Sequence, residues 1–289
     1  MKAKSPSQTA VWIAKGLLYL NQTHHPLAQF MDSKSIELWE NAISILEPRW
    51  LTLLQKPWYR CWFGFLERIS IPGMFAHYAM RKKIIDGWML RALQEKIEQV
   101  IVLAAGFDTL TQRYYQQYPE VEFIEIDHPA TQAIKQKAFM MGNPQASNVV
   151  FVAANLENDS IRDIFEQHCL SFKKTLLIAE GITMYLTEDN LKRFFRELHF
   201  FKPDFSTIFT FMQKQASGSI QFSNASFIVD FWLTLQNETF KWGIEPEYLA
   251  KEFLEPLQFK QVELVDPSLH TPPPKTQGEW LCLAEALYD

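Results

Sequence analysis

The sequence predicts an α/β fold: an open, mostly parallel seven-stranded sheet with helices on both faces, preceded by a helical N-terminal region. Two patterns predict it. From Gln99 onward, short apolar runs alternate with amphipathic stretches of helical period, which is typical of parallel strands joined by crossover helices. Before that point, residues 1 to about 94 show helical periodicity interrupted by prolines and contain no strand pattern.

Each predicted strand is a short apolar run between polar segments. The seven runs are Val100–Ala104, Glu122–Ile126, Val149–Val152, Leu176–Ala179, Thr207–Phe211, Gln261–Val265 and Leu281–Ala286. The predicted helices between them are Thr109–Gln117, Pro129–Met140, Ile161–Cys169, Glu188–Phe201 and Glu247–Leu254. The helix over 188–201 has the clearest pattern, because Thr187 is placed to cap it and five apolar residues share one face: Leu191, Phe194, Phe195, Leu198 and Phe201.

The N-terminal region is expected to consist of several helices that break at its prolines, which are Pro26, Pro48, Pro57 and Pro72. It is also rich in tryptophan, with Trp12, Trp39, Trp50, Trp58, Trp62 and Trp88. We interpret these rings as packing residues that join the helices to each other and to a core. This interpretation is favoured over an aromatic cage for a ligand.

Composition excludes several classes of protein. The 289 residues are 47% hydrophobic and 21% charged, so there is ample apolar surface to bury and the chain is neither disordered nor of low complexity. The formal charge of −5 argues against a general nucleic-acid binder, since affinity for a polyanion depends on phosphate neutralisation. Cys61, Cys169 and Cys282 are widely spaced without a CxxC pair, which indicates a reducing compartment and gives no zinc signature.

We expect a cytoplasmic protein without a membrane partner, because no apolar stretch approaches the ~20 residues of a transmembrane helix. The apolar N-terminal segment is split by Lys15 and followed by no small-residue cleavage site, which disfavours a signal peptide. Residues 1–94 are expected to form a helical cover over a sheet domain at 95–289. The stretch from about 213 to 245 is too long for an ordinary connection, so we interpret it as an inserted lid. The sequence does not indicate an oligomeric state.

The candidate site is formed by the residues that follow the first four strands, because ligands of open parallel sheets bind beyond the carboxyl ends of the strands. In strand order these residues are Ala104-Ala105-Gly106, Asp127-His128-Pro129, Asn155-Leu156 and Glu180-Gly181, with Tyr185 beyond the last pair. After the first turn, the spacing of Thr109 and Gln112 predicts a capping box at the start of the next helix.

These four segments together predict a nucleoside pocket. Asp127 lies 21 residues after Gly106, where an acidic side chain usually holds ribose hydroxyls. The first turn lacks the G-x-G-x-x-G pattern, which disfavours a dinucleotide pyrophosphate. Taken singly, a small-residue turn serves strand–helix packing equally well, and an acid at a strand end is more often a solvated residue or a helix cap. Four such segments at one edge of a sheet are a much stronger signal.

Three motifs carry a family resemblance: VLAAGFDT after the first strand, EIDHP after the second and AEGITMYL after the fourth. With SPSQTAVWIA near the N-terminus and EWLCLAEAL near the C-terminus, the chain resembles the leucine carboxyl methyltransferase family of S-adenosylmethionine-dependent methyltransferases. That family includes bacterial O-methyltransferases of polyketide metabolism. The resemblance implies a Rossmann-like methyltransferase core with a helical cover and a lid, and S-adenosylhomocysteine as the cofactor product.

The resemblance also implies residue roles toward S-adenosylmethionine. At the methionine end of the cofactor, it places Arg81 at the carboxylate and Glu180 near the amino group. It places Ala104 and Gly106 against the methionyl and ribose part, and Asp127 on both ribose hydroxyls. Asn155 and Leu156 are placed beside the adenine. Three positions depart from the family pattern. Ala104 replaces the first glycine, Asn155 the usual aspartate, and Leu110 the usual arginine, with Arg113 one turn further on.

The acceptor is expected to be a carboxylate or a hydroxyl of a small molecule or peptide. A carboxylate with a pKa near ~4 is ionised at neutral pH and needs no general base, whereas an ordinary hydroxyl does. His128 is the histidine that lies in a site motif, and its position at a helix start favours a structural role. Tyr185 either faces the substrate or packs in the core. The absence of an evident base favours a carboxylate.

Two other functions remain open from the sequence. A nucleotide-dependent oxidoreductase on a similar sheet is disfavoured by the missing glycine pattern. A non-catalytic binding protein that keeps the fold is also compatible with the sequence, since fold does not determine function. No metal is expected, because the adjacent His24-His25 pair cannot share a helix face.

Overall fold

The structure is a computed structural model that describes residues 6–142, 146–156, 159–168, 173–201, 205–225 and 239–287. Its strands are β1 (Gln99–Leu103), β2 (Glu122–Asp127), β3 (Val149–Ala153), β4 (Thr175–Ala179), β5 (Phe205–Met212), β6 (Phe259–Val265) and β7 (Glu279–Ala286). Its α-helices are α1 (Gln8–Gln22), α2 (Ser33–Leu46), α3 (Pro48–Leu54), α4 (Pro57–Ser70), α5 (Met74–Gln94), α6 (Leu110–Tyr114), α7 (Pro129–Gly142), α8 (Ile161–Gln167) and α9 (Glu188–Leu198).

All seven predicted strands form and join one sheet in the order β3-β2-β1-β4-β5-β7-β6. The first five are parallel, and β7 runs antiparallel between β5 and β6. The chain goes from β1 outward to β3 and then returns to β4 on the other side of β1. The strand order therefore reverses between β1 and β4, and the carboxyl ends of these strands border the crevice where ligands of such sheets bind.

The sheet is buried on both faces, as a parallel sheet with helices on each side requires. Alternate residues of β1 point to opposite faces of the sheet, and each face packs against its own hydrophobic cluster. Val100 and Val102 face a cluster that includes Leu17 of α1 and Phe75 of α5. Ile101 and Leu103 face a second cluster, which contains the apolar stripe of α9. The predicted apolar face of α9 is confirmed for Leu191, Phe194, Phe195 and Leu198, at which the helix ends before Phe201. Thr187 caps the helix by accepting a hydrogen bond from the backbone of Asn190.

The N-terminal region is helical, as predicted, and its prolines lie at helix starts or turns. Pro26 opens a short 3-10 helix (Pro26–Phe30), Pro48 opens α3, Pro57 opens α4, and Pro72 lies in the turn between α4 and α5. The packing interpretation of the tryptophans holds for the buried Trp39, Trp50 and Trp88 and for Trp12, whose ring lies 5.1 Å from that of Phe63. It is wrong for Trp58 and Trp62, whose side chains project into solvent from α4.

Several element details differ from the sequence-based expectations. The capping box is wrong: the Thr109 side chain makes no capping bond, and Asp108 Oδ1 accepts from the backbone N–H of Leu110 at 2.7 Å instead. The Thr109 hydroxyl accepts a hydrogen bond from Ser35 on α2. The helix expected at 247–254 is a π-helical turn at Leu249–Leu254.

Parts of two expectations fall outside the described residues. They are the end of the predicted 161–169 helix at Cys169 and the middle of the expected lid, residues 226–238. On either side of residues 226–238 the chain is described. There, Met212 forms an isolated β-bridge with Gly243, and Lys214 forms one with Ile220, so both flanks of the expected lid lie next to the end of β5. Within the described ranges, no helix has the length and apolar character needed to cross a membrane.

Candidate active site

A pocket lies at the carboxyl ends of β1, β2 and β4 and beneath α1. All nine site residues predicted from the sequence line it: Arg81, Ala104, Gly106, Asp127, His128, Asn155, Leu156, Glu180 and Tyr185. They come from five separate stretches of chain, and the crossover topology brings them together. The α1 residues Ala10 and Ile13 contribute to the opposite wall, so the N-terminal helix takes part in the site.

The turn after β1 requires small residues. Ala104 and Gly106 both have φ near 49°, in the left-handed region that glycine adopts most readily. A Cβ atom at Gly106 would lie 3.2 Å from the Cβ of Ala10, which is tighter than an ordinary contact. Ala104 adopts the same φ although it carries a methyl group, so this position holds backbone strain that glycine would not have.

Asp127 ends β2 and closes the turn from the other side. Its Oδ2 accepts from the backbone N–H of Gly106 at 2.5 Å, and its Oδ1 accepts from that of His128 at 2.6 Å. The side chain is buried, and burial raises the pKa of Asp127 to about 6 although both N–H groups and the Lys135 ammonium act to lower it. This carboxyl group therefore changes charge close to neutral pH.

A cluster of five charged side chains forms another part of the pocket wall, and we call it the charge cluster: Arg81, Lys82, Asp108, Glu180 and Glu279. The Arg81 guanidinium contacts Glu180 at 2.7 Å and Glu279 at 2.8 Å. The Lys82 ammonium contacts Asp108 at 2.8 Å and Glu180 at 3.2 Å. The charge cluster thus contains two cationic and three acidic side chains, so its net formal charge is −1.

Ion pairing lowers the pKa of two carboxyl groups of the charge cluster, those of Glu279 and Asp108. Burial acts to raise the pKa of Glu279, but the Arg81 guanidinium and the His77 side chain together outweigh it and the pKa falls to about 2. For Asp108, burial is likewise outweighed, here by the ammonium groups of Lys82 and Lys135, and the pKa is also about 2. Burial acts to lower the pKa of Arg81, but its two carboxylate partners raise it overall.

Sequence reasoning missed three members of the charge cluster: Lys82, Asp108 and Glu279. The first two could have been predicted from their neighbours in sequence, because Lys82 follows Arg81 and Asp108 lies in the turn after β1. Glu279 stands at the start of β7 and is the first residue of the recognised EWLCLAEAL segment, but the residues around it in sequence do not point to the pocket. The antiparallel direction of β7 brings its first residue to the edge of the sheet where the parallel strands end. Behind it, the buried His77 lies 2.7 Å from the Glu279 carboxylate.

An aromatic wall made of Tyr185, Phe222 and Phe240 lines a further part of the pocket. The ring of Phe240 lies 5.5 Å from that of Tyr185 and 6.0 Å from that of Phe222. Lys241 also lines the pocket, and its backbone N–H donates to the carbonyl of Met184 at 2.7 Å. This hydrogen bond holds the segment after the undescribed part of the expected lid against the segment that follows β4.

The remaining predicted residues have local structural contacts as well as pocket positions. His128 Nδ1 accepts from the backbone N–H of Ala130 at 3.3 Å, at the start of α7. This contact matches the structural role expected for His128 and uses one of its two ring nitrogens. The Asn155 backbone N–H donates to Asp159 at 2.8 Å, which fixes the turn after β3 where Leu156 also faces the pocket.

The chain is similar to known proteins in sequence and in structure. The sequence model of the leucine carboxyl methyltransferase family matches residues 42–199. A provisionally named S-adenosyl-L-methionine-dependent methyltransferase from Parafrankia sp. (strain EAN1pec) is 29% identical over 123 residues, which are 42% of this chain and 39% of that protein. The crystal structure of a provisionally named methyltransferase from Thermobifida fusca YX superposes on this chain with a TM-score of 0.58 at 14% sequence identity. The match covers 81% of this chain and 90% of that one. The structural match shows a shared, Rossmann-like fold.

Proposed function

This chain belongs to the leucine carboxyl methyltransferase family of S-adenosylmethionine-dependent methyltransferases, and we propose that it transfers a methyl group to an oxygen atom of a small-molecule or peptide acceptor. One observation carries the proposal: a single pocket contains both the Asp127 carboxylate and the charge cluster around Arg81. A nucleoside that bears an amino acid requires these two kinds of anchor.

The residues present fit S-adenosylmethionine. This cofactor joins a ribose and an adenine to a carboxylate, an ammonium and a sulfonium group, so its net charge is positive. The charge cluster has one more carboxylate than cations, which is the complementary sign. Asp127 has lone pairs left for hydroxyl donors beyond its two backbone hydrogen bonds.

Each residue of the pocket takes a role that its contacts support. The Arg81 guanidinium, held in place by Glu180 and Glu279, keeps one of its five N–H groups for the carboxylate of the methionine part. Glu180 receives the ammonium, and Asp127 accepts from the ribose hydroxyls. Asn155 and Leu156 border the adenine, where the asparagine amide can both donate and accept.

Catalysis in this pocket is a matter of alignment and exclusion of water. When bound, the cofactor supplies a methyl group on a positively charged sulfur, and the neutral thioether that leaves needs no protonation. The chain has to hold the acceptor oxygen in line with that methyl group. The aromatic wall and α1 line the pocket with apolar surface, which removes water from around the reacting groups.

We favour a carboxylate as the acceptor group. A carboxylate is ionised at neutral pH and reacts without a base. In the described part of the pocket wall, His128 is the one histidine, and a backbone N–H already occupies its Nδ1. A hydroxyl acceptor would instead depend on the second ring nitrogen of His128 or on Tyr185.

The chemistry of the product tests this proposal. The chain is incubated with S-adenosylmethionine labelled in its methyl group and with fractions of small carboxylic acids, phenols and peptides. A methyl ester releases labelled methanol in mild base, whereas a methyl ether does not, so we expect base-labile label. Base-stable label would establish a hydroxyl acceptor. Absence of transfer to any fraction, together with failure to bind the cofactor, would contradict the proposed function.

A further inference from the structure

The outward face of α4 carries a continuous apolar stripe. Trp58, Trp62, Phe65 and Ile69 are 63%, 48%, 58% and 43% exposed. Their spacing of four, three and four residues places them in one line along the helix. The opposite side of α4 is anchored by Phe63, which is buried and stacks on Phe75 with a centroid distance of 5.5 Å. The stripe therefore results from a well-packed helix that turns its larger rings to solvent.

The exposed rings form a connected surface. The ring of Tyr59 lies 5.6 Å from Trp58 and 5.4 Å from Trp62, and it bridges them to the buried Phe63. Scattered exposed apolar residues are ordinary on soluble proteins, but a contiguous patch marks an interaction site. Tryptophan and phenylalanine along one line are typical of helices that lie in the interface of a bilayer.

The charge around the stripe is opposite to that of the whole chain. From Glu47 to Ile69 the sequence has Arg49, Lys56, Arg60 and Arg68 against the acids Glu47 and Glu67, a net charge of +2 in a chain of −5. Glu47 is itself paired with Lys15 at 2.7 Å. Glu67 does not neutralise the outward face. Although its burial raises the pKa of Glu67, the carboxylate accepts hydrogen bonds from the backbone at the start of α5, so it points inward.

We propose that α4 is a docking surface for anionic phospholipid membranes. The helix lies flat on the bilayer, its stripe enters the headgroup region, and the flanking cations contact the phosphates. A second copy of the chain is a poorer occupant, because packing α4 against itself brings cations of both copies together. This contact requires no membrane-spanning helix, and it is independent of the reaction in the pocket.

Vesicle co-sedimentation with the full chain tests this inference. One set of vesicles contains phosphatidylcholine alone, and the other contains phosphatidylcholine with phosphatidylserine. We expect binding to the anionic set, at least tenfold weaker binding in Trp62→Ser/Phe65→Ser, and a clear loss in Lys56→Gln/Arg68→Gln or at high salt. Leu269→Ser is the matched control, since Leu269 is 66% exposed on a different element. This control should bind like the unchanged chain.

The variants change exposed side chains, so circular dichroism and S-adenosylmethionine binding should be unaffected in all of them. Equal binding of the unchanged chain to both vesicle sets would contradict the role of charge. Absence of binding to the anionic set would overturn the inference outright. A chain that is dimeric in solution and becomes monomeric in Trp62→Ser/Phe65→Ser would also overturn it, because a second copy would then cover the stripe.

Discussion

Asp127 links the protonation state of one side chain to ligand affinity. Its raised pKa of about 6 means that it is mostly ionised at pH 7.5 and mostly protonated at pH 5. Only the ionised form can accept from both ribose hydroxyls while it keeps its two backbone donors. We therefore expect the affinity for S-adenosylmethionine to fall by roughly tenfold between pH 7.5 and pH 5.

Calorimetric titration at several pH values checks this expectation. Asp127→Asn serves as the matched control, since it keeps the shape of the side chain and cannot ionise. Its affinity should be lower and independent of pH over the same range. The folded-state pKa lies above the ordinary value of 3.8, so the contribution of Asp127 to stability is largest below pH 4 and is lost as the pH rises through 6. A flat affinity profile for the unchanged chain would contradict the role assigned to Asp127.

Ala104 is the residue of the pocket turn that holds backbone strain. A left-handed φ costs a non-glycine residue about 1–2 kcal/mol, and glycine removes this cost. Glycine also makes the unfolded chain more flexible, which favours unfolding and offsets part of that stabilisation. We expect Ala104→Gly to raise the free energy of unfolding by up to about 1 kcal/mol. Ala105→Gly is the control, because Ala105 does not have a positive φ, and it should lose about 0.4–1 kcal/mol. Denaturant unfolding that ranks the two variants in the reverse order would refute the strain argument.

The site residues that a sequence can predict are those that follow a recognisable strand. Ala104, Asp127, Asn155 and Glu180 each come directly after an apolar run, so their common position follows from topology. The same reasoning cannot find a partner whose position depends on a distant element. The Thr109 capping box failed for a related reason: Asp108 accepts from the Leu110 N–H at the start of α6, and the Thr109 hydroxyl accepts from Ser35, which belongs to a helix far away in sequence.

At the scale of elements, β7 supplies the carboxylate that completes the charge cluster. Glu279 is fully buried and paired with Arg81, so removing its charge leaves a buried cation without one of its two partners. We expect Glu279→Gln to lower the free energy of unfolding by about 3 kcal/mol. Glu285→Gln, which changes an exposed glutamate on the same strand, should cost less than about 0.5 kcal/mol.

Acid unfolding provides a second readout for Glu279. Its pKa is lowered to about 2 in the folded chain, against an ordinary value of 4.5. The stability that it contributes is therefore present above pH 4.5 and is lost as the pH falls toward 2. Glu279→Gln should show a weaker pH dependence of stability in this window than Glu285→Gln. Equal pH dependence in the two variants would mean that Arg81 does not stabilise the Glu279 carboxylate.

The strands were predictable because their apolar runs are continuous, but their first residues were not. β1 begins at Gln99 and β4 at Thr175, one residue earlier than hydropathy predicts. Both polar side chains are buried and hydrogen-bonded: Thr175 Oγ1 lies 3.1 Å from Gln99 Oε1, and the Gln99 amide donates to Glu122 on the neighbouring strand at 2.9 Å. A cross-strand pair of this kind is a property of the folded sheet and cannot be recognised from either residue alone.

At the scale of the whole molecule, one region of the surface has a charge opposite in sign to the net charge of the chain. The chain has a formal charge of −5, while the segment from Glu47 to Ile69 is positive and apolar. The expectation of no membrane partner depended on the absence of a spanning segment, and a flat contact through α4 does not need one. The exposure of Trp58 and Trp62 was not predictable, because tryptophans at helical spacing more often face a core.

The central claim is that one pocket binds S-adenosylmethionine through Asp127 and the charge cluster. Isothermal titration of the unchanged chain and of Asp127→Ala with S-adenosylmethionine, S-adenosylhomocysteine and NADH tests it most directly. We predict binding of the first two at roughly micromolar dissociation constants, no binding of NADH, and at least a tenfold loss in the variant, since each charge-assisted hydrogen bond contributes about 1.5–3 kcal/mol. Failure of the unchanged chain to bind either methionine-derived ligand, or equal affinity in a folded Asp127→Ala, would contradict the account.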